Sequence, residues 1–426
     1  MDLVTPPPPY RPLPVRLLNG MGRLAFHLTG KLPRLHEASL IEAACRRTGL
    51  SDFGPERFRE GLHVLLRSLE DDGALNAMGR IMARAQVVHA LSMRLKLIDY
   101  RRRHPELADI PIARPLFVLG LPRTGTTILY GIIAQDPAHR SPASWELADP
   151  VPPPQRSTYE GDARIARTDA ELDQFRKLVP HIDSIHPMGA RLPQECLIVM
   201  AYDFHSLQYE LCFNVVGYES WYLAQDLRPT YRFHREVLQL LSSGMRGERW
   251  VLKSPQHLAS LDALLAEYPD ALVVQTHRDP VRVLPSVSSL HYALHAATSD
   301  AIDPAAVGEK QSRLWSQSLS RATGAREQLS QHATQFYDVQ FEEILRDPLD
   351  VVRRIYRHFD IPLTGDAEQR MKAFIAANPR DKHGTHHYTA AMFGLDATRI
   401  RAQFADYYTR FAVPYDVAQG SSHAAS

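Results

Sequence analysis

Cysteine is nearly absent from this chain. Three occur in 426 residues, Cys45, Cys196 and Cys212, and no two stand as C-x-x-C. That excludes a disulfide framework and a cysteine-ligated zinc module, and it suits a reducing compartment. Long apolar runs are missing too. Nothing approaches the roughly 18 uninterrupted apolar residues of a membrane helix, and the N-terminus MDLVTPPPPYRPLP lacks the apolar core of a signal peptide. A cytoplasmic protein without stable membrane insertion is expected. No charge excess exists either: 49 basic residues meet 48 acidic ones, a formal net charge of +1, so overall charge implies no nucleic-acid partner. The triplet Arg101, Arg102 and Arg103 ahead of Pro105 reads as the cationic end of a helix.

One further lack is local. Pro115 to Gln135 reads PLFVLGLPRTGTTILYGIIAQ: a short apolar run, a turn opened by Gly120 and Pro122, then Gly125, Thr126 and Thr127 opening an apolar helical stretch. Strand, tight loop and helix N-terminus hold a phosphate on backbone N–H groups. Gly120 and Gly125 have the spacing of the triphosphate loop G-x-x-x-x-G-K-[ST], yet Thr126 stands where its lysine belongs. The contact to β- and γ-phosphates is gone, which points away from Mg-ATP.

The chain divides into a proline-rich arm over 1–34, polyproline-like in its first fourteen residues, and a helical extension over 35–110. An α/β domain over 111–415 and a flexible tail over 416–426 complete it. In the extension, Phe58, Leu62, Leu65, Leu66 and Leu69 keep helical spacing, as do Met78, Ile81, Met82, Ala85, Val88 and Leu95. Strands are expected at 116–120, 249–252, 271–276 and about 334–340, with a helix over 342–358. Repeated βα units imply a P-loop-type, mainly parallel sheet flanked by helices. An insertion over 136–248, with helices near 160–178 and 192–212, is placed to carry acceptor specificity.

Two more segments carry chemistry. In VVQTHRDPVRVLPSVSSL, Arg278 follows a strand, and Ser286 lies two turns down a helix begun near Asp279 and Pro280, so the pair could clamp one phosphate. In WVLKSPQHL, Lys253 ends a strand where its ammonium could meet a leaving-group oxygen; His257 follows as a candidate base.

Together the three segments resemble the sulfotransferase superfamily, most closely its bacterial branch and the tyrosylprotein sulfotransferases with their P-R-[ST]-G-T-T loop. The segment FEEILRDPLDVVRRIYRHFDIP resembles the helix after the family's last core strand. The resemblance implies 3′-phosphoadenylyl sulfate (PAPS) as donor. Arg123, Thr124, Gly125, Thr126 and Thr127 would grip its 5′-phosphosulfate, and Arg278 with Ser286 its 3′-phosphate. Arg380 and Lys382, in the basic segment NPRDKHGTHHYTAAMFGL, would close over that phosphate. A sulfuryl group carries less charge than a γ-phosphoryl group, so Arg123 and Lys253 can replace a metal, and none is expected; H-x-x-H-H in the same segment lacks acidic partners for a metal site. The reaction implied is in-line transfer to a hydroxyl or amine.

For the base, Pro255 stands where small-molecule sulfotransferases place histidine, with His257 two residues on. The protein-tyrosine branch uses a glutamate, and Glu195 in RLPQECLIVM, at an expected helix start, matches that role; both remain candidates. Trp145 and Glu146 could line an acceptor cleft. The acceptor class (small molecule, lipid or glycan) and the oligomeric state are not written in the sequence. Alternatives are a P-loop small-molecule kinase, with Asp338 as its only available metal-holding aspartate, and a non-catalytic nucleotide-binding scaffold.

Overall fold

A period of two along the strands builds the centre of the molecule. In the computed structural model, which describes residues 6, 10–29, 34–179, 182–185, 187–245, 249–379 and 388–415, strand β1 (Leu116–Gly120) is buried throughout. Its Leu116 and Val118 face one apolar cluster, Phe117 and Leu119 the other. Four further strands follow: β2 (His139–Arg140), β3 (Arg249–Lys253), β4 (Leu272–His277) and β5 (Phe336–Gln340). They pair in the order β2-β3-β1-β4-β5, every pair parallel. Val118 stands opposite Lys253 and Gly120 opposite Thr276, so the C-terminal ends of β3, β1 and β4 come out side by side. Such an edge is where ligands collect in open parallel sheets.

Four strands match the sequence expectation within two residues. The two-residue strand β2 does not announce itself, because neither residue is apolar. Arg140 is nevertheless buried: it donates to Leu241 O at 2.6 Å, pairs with Glu146, and lies over the Trp250 ring at 4.7 Å.

Ahead of the sheet come α1 (Leu13–Thr29), α2 (Glu37–Thr48), α3 (Phe58–Asp71) and α4 (Ala77–Arg103); α5 (Thr126–Ile133) follows β1. The face read on α3 is buried entirely. That on α4 is not: among the six expected residues only Leu95 is buried, and Ile81 is exposed. Ala83, Val87, Ala90 and Leu91 form the packed side instead, since small residues let neighbouring helices approach, as Gly79 does against the Thr298 carbonyl. Helix α1 occupies most of the stretch expected as a proline-rich arm; Pro14 falls in its first turn, where the missing N–H costs nothing.

Two expected helices are divided. Residues 342–358 form Phe341–Arg346 and Pro348–His358, separated by Asp347, whose carboxylate caps Leu349 and Asp350. The expected helix 192–212 is two short ones, Leu197–Ala201 and Gln208–Cys212. One apolar cluster runs from α3 and α4 through the insertion to the sheet, joining Leu62, Leu91, Phe204 and Phe117. Arg94, buried at its heart, pairs with Asp203 at 2.9 Å and donates to the Phe53 and Pro55 carbonyls. No helix among the described residues is long and apolar enough to cross a membrane.

Candidate active site

The loop after β1 is shaped by three left-handed or extended-positive residues. Gly120 has φ +149°, and a Cβ there would stand 2.4 Å from the Thr276 hydroxyl oxygen. Gly125 has φ +88°, with Ile344 Cδ1 2.9 Å from where its Cβ would be. Arg123, between them, takes φ +67°, a conformation that costs a non-glycine residue and is kept only when the surroundings enforce it. Helix α5 then begins at Thr126 with no side-chain cap, so no side chain satisfies its first N–H groups, the arrangement in which helix N-termini take anions.

Among the expected loop residues the threonines divide. Thr124 turns inward: its hydroxyl donates to Leu121 O at 2.6 Å and sits 2.6 Å from Thr276 Oγ1. Its side chain fastens the loop to β4. Thr126 is buried and Thr127 exposed at the helix start.

Beyond β4, Arg278 and Ser286 come to the same loop. Asp279 caps the helix Pro280–Thr298 through Val281 N at 2.8 Å, with Pro280 in the first turn. Ser286 Oγ accepts from Arg123 Nε at 3.2 Å, and Arg278 Nη1 donates to the Arg123 carbonyl at 2.8 Å. The Arg278 guanidinium stacks on Phe341, 3.9 Å from the ring centroid. Phe341 also lies against Gly125. Sequence reading missed this residue; its only signal is the aromatic opening the helix after β5.

On the other side of β1, Lys253 forms an ion pair with Glu195. Lys253 is 3% exposed, and the Glu195 side chain 13%. Glu195 is fixed from all sides. Its N–H donates to the Gln194 side chain at 2.8 Å; Gln194 N donates to Pro142 O at 2.8 Å and Gln194 O accepts from Tyr130 of α5 at 3.1 Å. Cys196 N, one residue on, donates to Lys253 O at 3.0 Å. Glu195 lies just ahead of the short helix Leu197–Ala201, at the helix start expected for it, and Ile198 N donates to its carbonyl at 3.3 Å.

His257 is not brought to this group. It is fully buried, its Nδ1 2.6 Å from the Tyr231 hydroxyl and its ring edge-on to Phe117. Burial pushes its pKa well below the ordinary histidine value, with His234 adding to that. Trp145 and Glu146 are likewise buried, Glu146 against Arg140 and the Ala143 N–H at 2.7 Å, so neither lines a cleft. Arg380, Lys382 and the histidines of that segment lie outside the described residues.

Asp338 is committed elsewhere. Burial would raise its pKa, but Arg326 at 2.7 Å and His277 at 2.8 Å outweigh this and hold it well below the usual carboxylate range. Among the described residues, the group with metal-ligating types in reach of one another is Glu210, His291 and His295, all buried. Lys310 already supplies the cation there, 2.8 Å from Glu210 Oε1, and Gln311 Nε2 donates to the same oxygen at 2.8 Å. Glu219, buried nearby, is pushed up to about 8 by burial and by the Glu210 charge.

Residues 115–365 match the profile of the sulfotransferase family. The chain is similar to the crystal structure of sulfotransferase STF1 from Mycobacterium tuberculosis H37Rv, at 36% identity and TM-score 0.79, covering 87% of this chain and 99% of that one. It is similar also to STF9 from Mycobacterium avium, at 30% identity and TM-score 0.81, covering 90% and 99%. The omega-hydroxy-beta-dihydromenaquinone-9 sulfotransferase Stf3 of Mycobacterium bovis is 25% identical over 320 residues, 72% of this chain and 77% of Stf3.

Proposed function

The chain belongs to the sulfotransferase family, and on that premise we propose that it transfers a sulfuryl group from PAPS to a hydroxyl of an apolar acceptor. The observation that carries this reading is the Lys253–Glu195 ion pair beside the anion loop.

The residues present fit the donor. Gly120 and Gly125 let the loop close against Thr276 and Ile344, the N–H groups opening α5 have no side-chain cap, and Arg123 and Arg278 bring two positive charges to the same loop. The donor supplies the sulfuryl group and leaves as adenosine 3′,5′-bisphosphate. Arg123, the backbone of Thr124 and Gly125, and Thr126 with Thr127 bind the 5′ end. Arg278 and Ser286 bind the 3′-phosphate, with Arg380 and Lys382 as further candidates from the segment outside the described residues. Stacking on Phe341 holds the Arg278 guanidinium plane in one orientation for that contact.

Lys253 neutralises charge as it develops on the departing phosphate oxygen. Glu195 takes the proton from the acceptor hydroxyl. The ion pair holds the Glu195 carboxylate beside Lys253, so that base and cation meet at one point of the site. Chemistry of this kind rests on positioning and charge stabilisation, for which protein cations suffice without a metal. Stf3, named for an omega-hydroxy quinone, makes hydroxyl-bearing apolar molecules the first acceptors to test.

Calorimetric titration with adenosine 3′,5′-bisphosphate, ADP and Mg-ATP tests the donor assignment. Binding that needs the 3′-phosphate and ignores magnesium is expected. Preference for Mg-ATP would overturn it in favour of a kinase.

A further inference from the structure

Helix α1 presents two unlike sides. One seats on α4: Val15 and Asn19 are buried, Asn19 Oδ1 accepts from Met78 N at 3.0 Å, and Gly22 lies so close to Ala77 that a Cβ would stand 2.7 Å from it. The other carries Leu13, Leu17, Met21, Leu24 and Leu28, spaced four, four, three and four residues apart, which lines them up as one stripe. These five are between 59% and 74% exposed. Among the described residues, seven of the eleven exposed large hydrophobic ones fall between Tyr10 and Leu28, and Ile81 adds another from the α4 turn beside the seat. Scattered exposed leucines need no explanation, but a continuous stripe does.

Charge decides what the stripe faces. Arg16, Arg23 and His27 recur along one flank of it, and α1 contains no acidic residue. A second copy laid stripe to stripe would bring two cationic flanks together with no carboxylate on either helix to answer them. An anionic lipid surface answers both features, taking the leucines among its acyl chains and the arginines at its headgroups. Arg23 also pairs with Asp300 at 3.3 Å, a contact between exposed groups that a phosphate can replace.

We propose that α1 is an interfacial helix that seats the protein on anionic membranes, lying in the surface without crossing it. It is 17 residues long and is held to the body through Asn19 and through Arg11, which donates to the Ala296 and Ser299 carbonyls at 2.8 Å. The seat therefore fixes how the body meets the membrane. This assignment is independent of donor and acceptor, and its test uses neither.

Flotation of the full chain with vesicles of phosphatidylcholine, with and without phosphatidylglycerol, reads it directly. The wild type is expected to float with the mixed vesicles, less with phosphatidylcholine alone and less as salt rises. Leu17→Glu/Met21→Glu/Leu24→Glu, all at exposed positions, should keep the wild-type Tm and lose at least about tenfold in partitioning, since each change removes a buried apolar side chain from the bilayer. Separately, Leu24→Trp should shift its emission to the blue and be quenched by brominated lipid. Wild type left at the bottom of the gradient with both vesicle types overturns the proposal. So does equal flotation of the triple variant, or a light-scattering dimer that the triple variant dissolves.

Discussion

Nε of Arg123 donates to the Ser286 hydroxyl across 3.2 Å, although the two residues stand 163 positions apart in the chain. A loop residue and a helix residue assigned to opposite ends of the donor thus share a hydrogen bond. Arg278 joins them by donating to the Arg123 carbonyl. The residues proposed for the two anion sites form one connected group, so a ligand that engages either is expected to redistribute the contacts of all three.

Arg278→Ala should therefore weaken adenosine 3′,5′-bisphosphate by about 10- to 100-fold, roughly 1.5–3 kcal/mol for a charge-assisted hydrogen bond. Titration calorimetry measures it, with ADP as the control that lacks the 3′-phosphate and should be little affected. Unchanged affinity would remove Arg278 from the site.

Lys253→Ala and Glu195→Gln should each lower kcat by about 100-fold or more while leaving donor affinity nearly intact, because both act as charge moves in the transition state. The double variant should cost little more than either single one, as expected of residues that work as a unit. Single-turnover rates with PAPS and a competent acceptor test this; a loss confined to donor binding would contradict both roles.

His257→Asn should leave the chemical step of the folded enzyme unchanged and lower Tm instead. The histidine lies in the core between Phe117 and Tyr231, and the shorter side chain abandons the Tyr231 hydrogen bond. A slowed chemical step at wild-type stability would reinstate it as the base.

Glu219 carries a pH dependence of unusual sign. Its pKa in the folded protein is about 8, above the ordinary value of 4.5. Between those limits the folded state binds more protons than the unfolded state, so this residue makes stability fall as pH rises through that window and contributes no such loss below it. Glu219→Gln, which keeps the shape and cannot ionise, should gain Tm over the wild type at pH 8 and show little difference at pH 5. Parallel Tm profiles for the two proteins would refute the assignment.

Why some of this could be read in the sequence and some not has a physical answer. Strands β1, β3 and β4 are apolar on both faces and bounded by turn residues, which leaves few alternatives for such short runs. Arg278 and Ser286 follow from a strand end and a capped helix with proline in its first turn. Thr124 could not be told from Thr126 and Thr127, because which hydroxyl faces inward depends on Thr276 in a strand 150 residues away. Glu195 could be singled out by its motif, but its aim comes from a turn held by Pro142, Tyr130 and β3. His257 is polar in composition and core in position; only Tyr231 and Phe117, distant in sequence, make it so. Nor could the phase of α4 be fixed, since neighbours on several sides let small residues outcompete the larger apolar ones for the packed face.

The apolar cluster that joins Leu62 and Leu91 to Phe204 and Phe117 bears on how the protein can be cut. A fragment beginning near Pro115, where the match to the family profile begins, would strip one wall from the hydrophobic interior. It would also remove Arg57 and Arg94, both of which contact the buried Asp203 carboxylate, and an uncompensated interior charge costs several kcal/mol. The stretch that the family profile matches is thus shorter than the stretch whose side chains close the core.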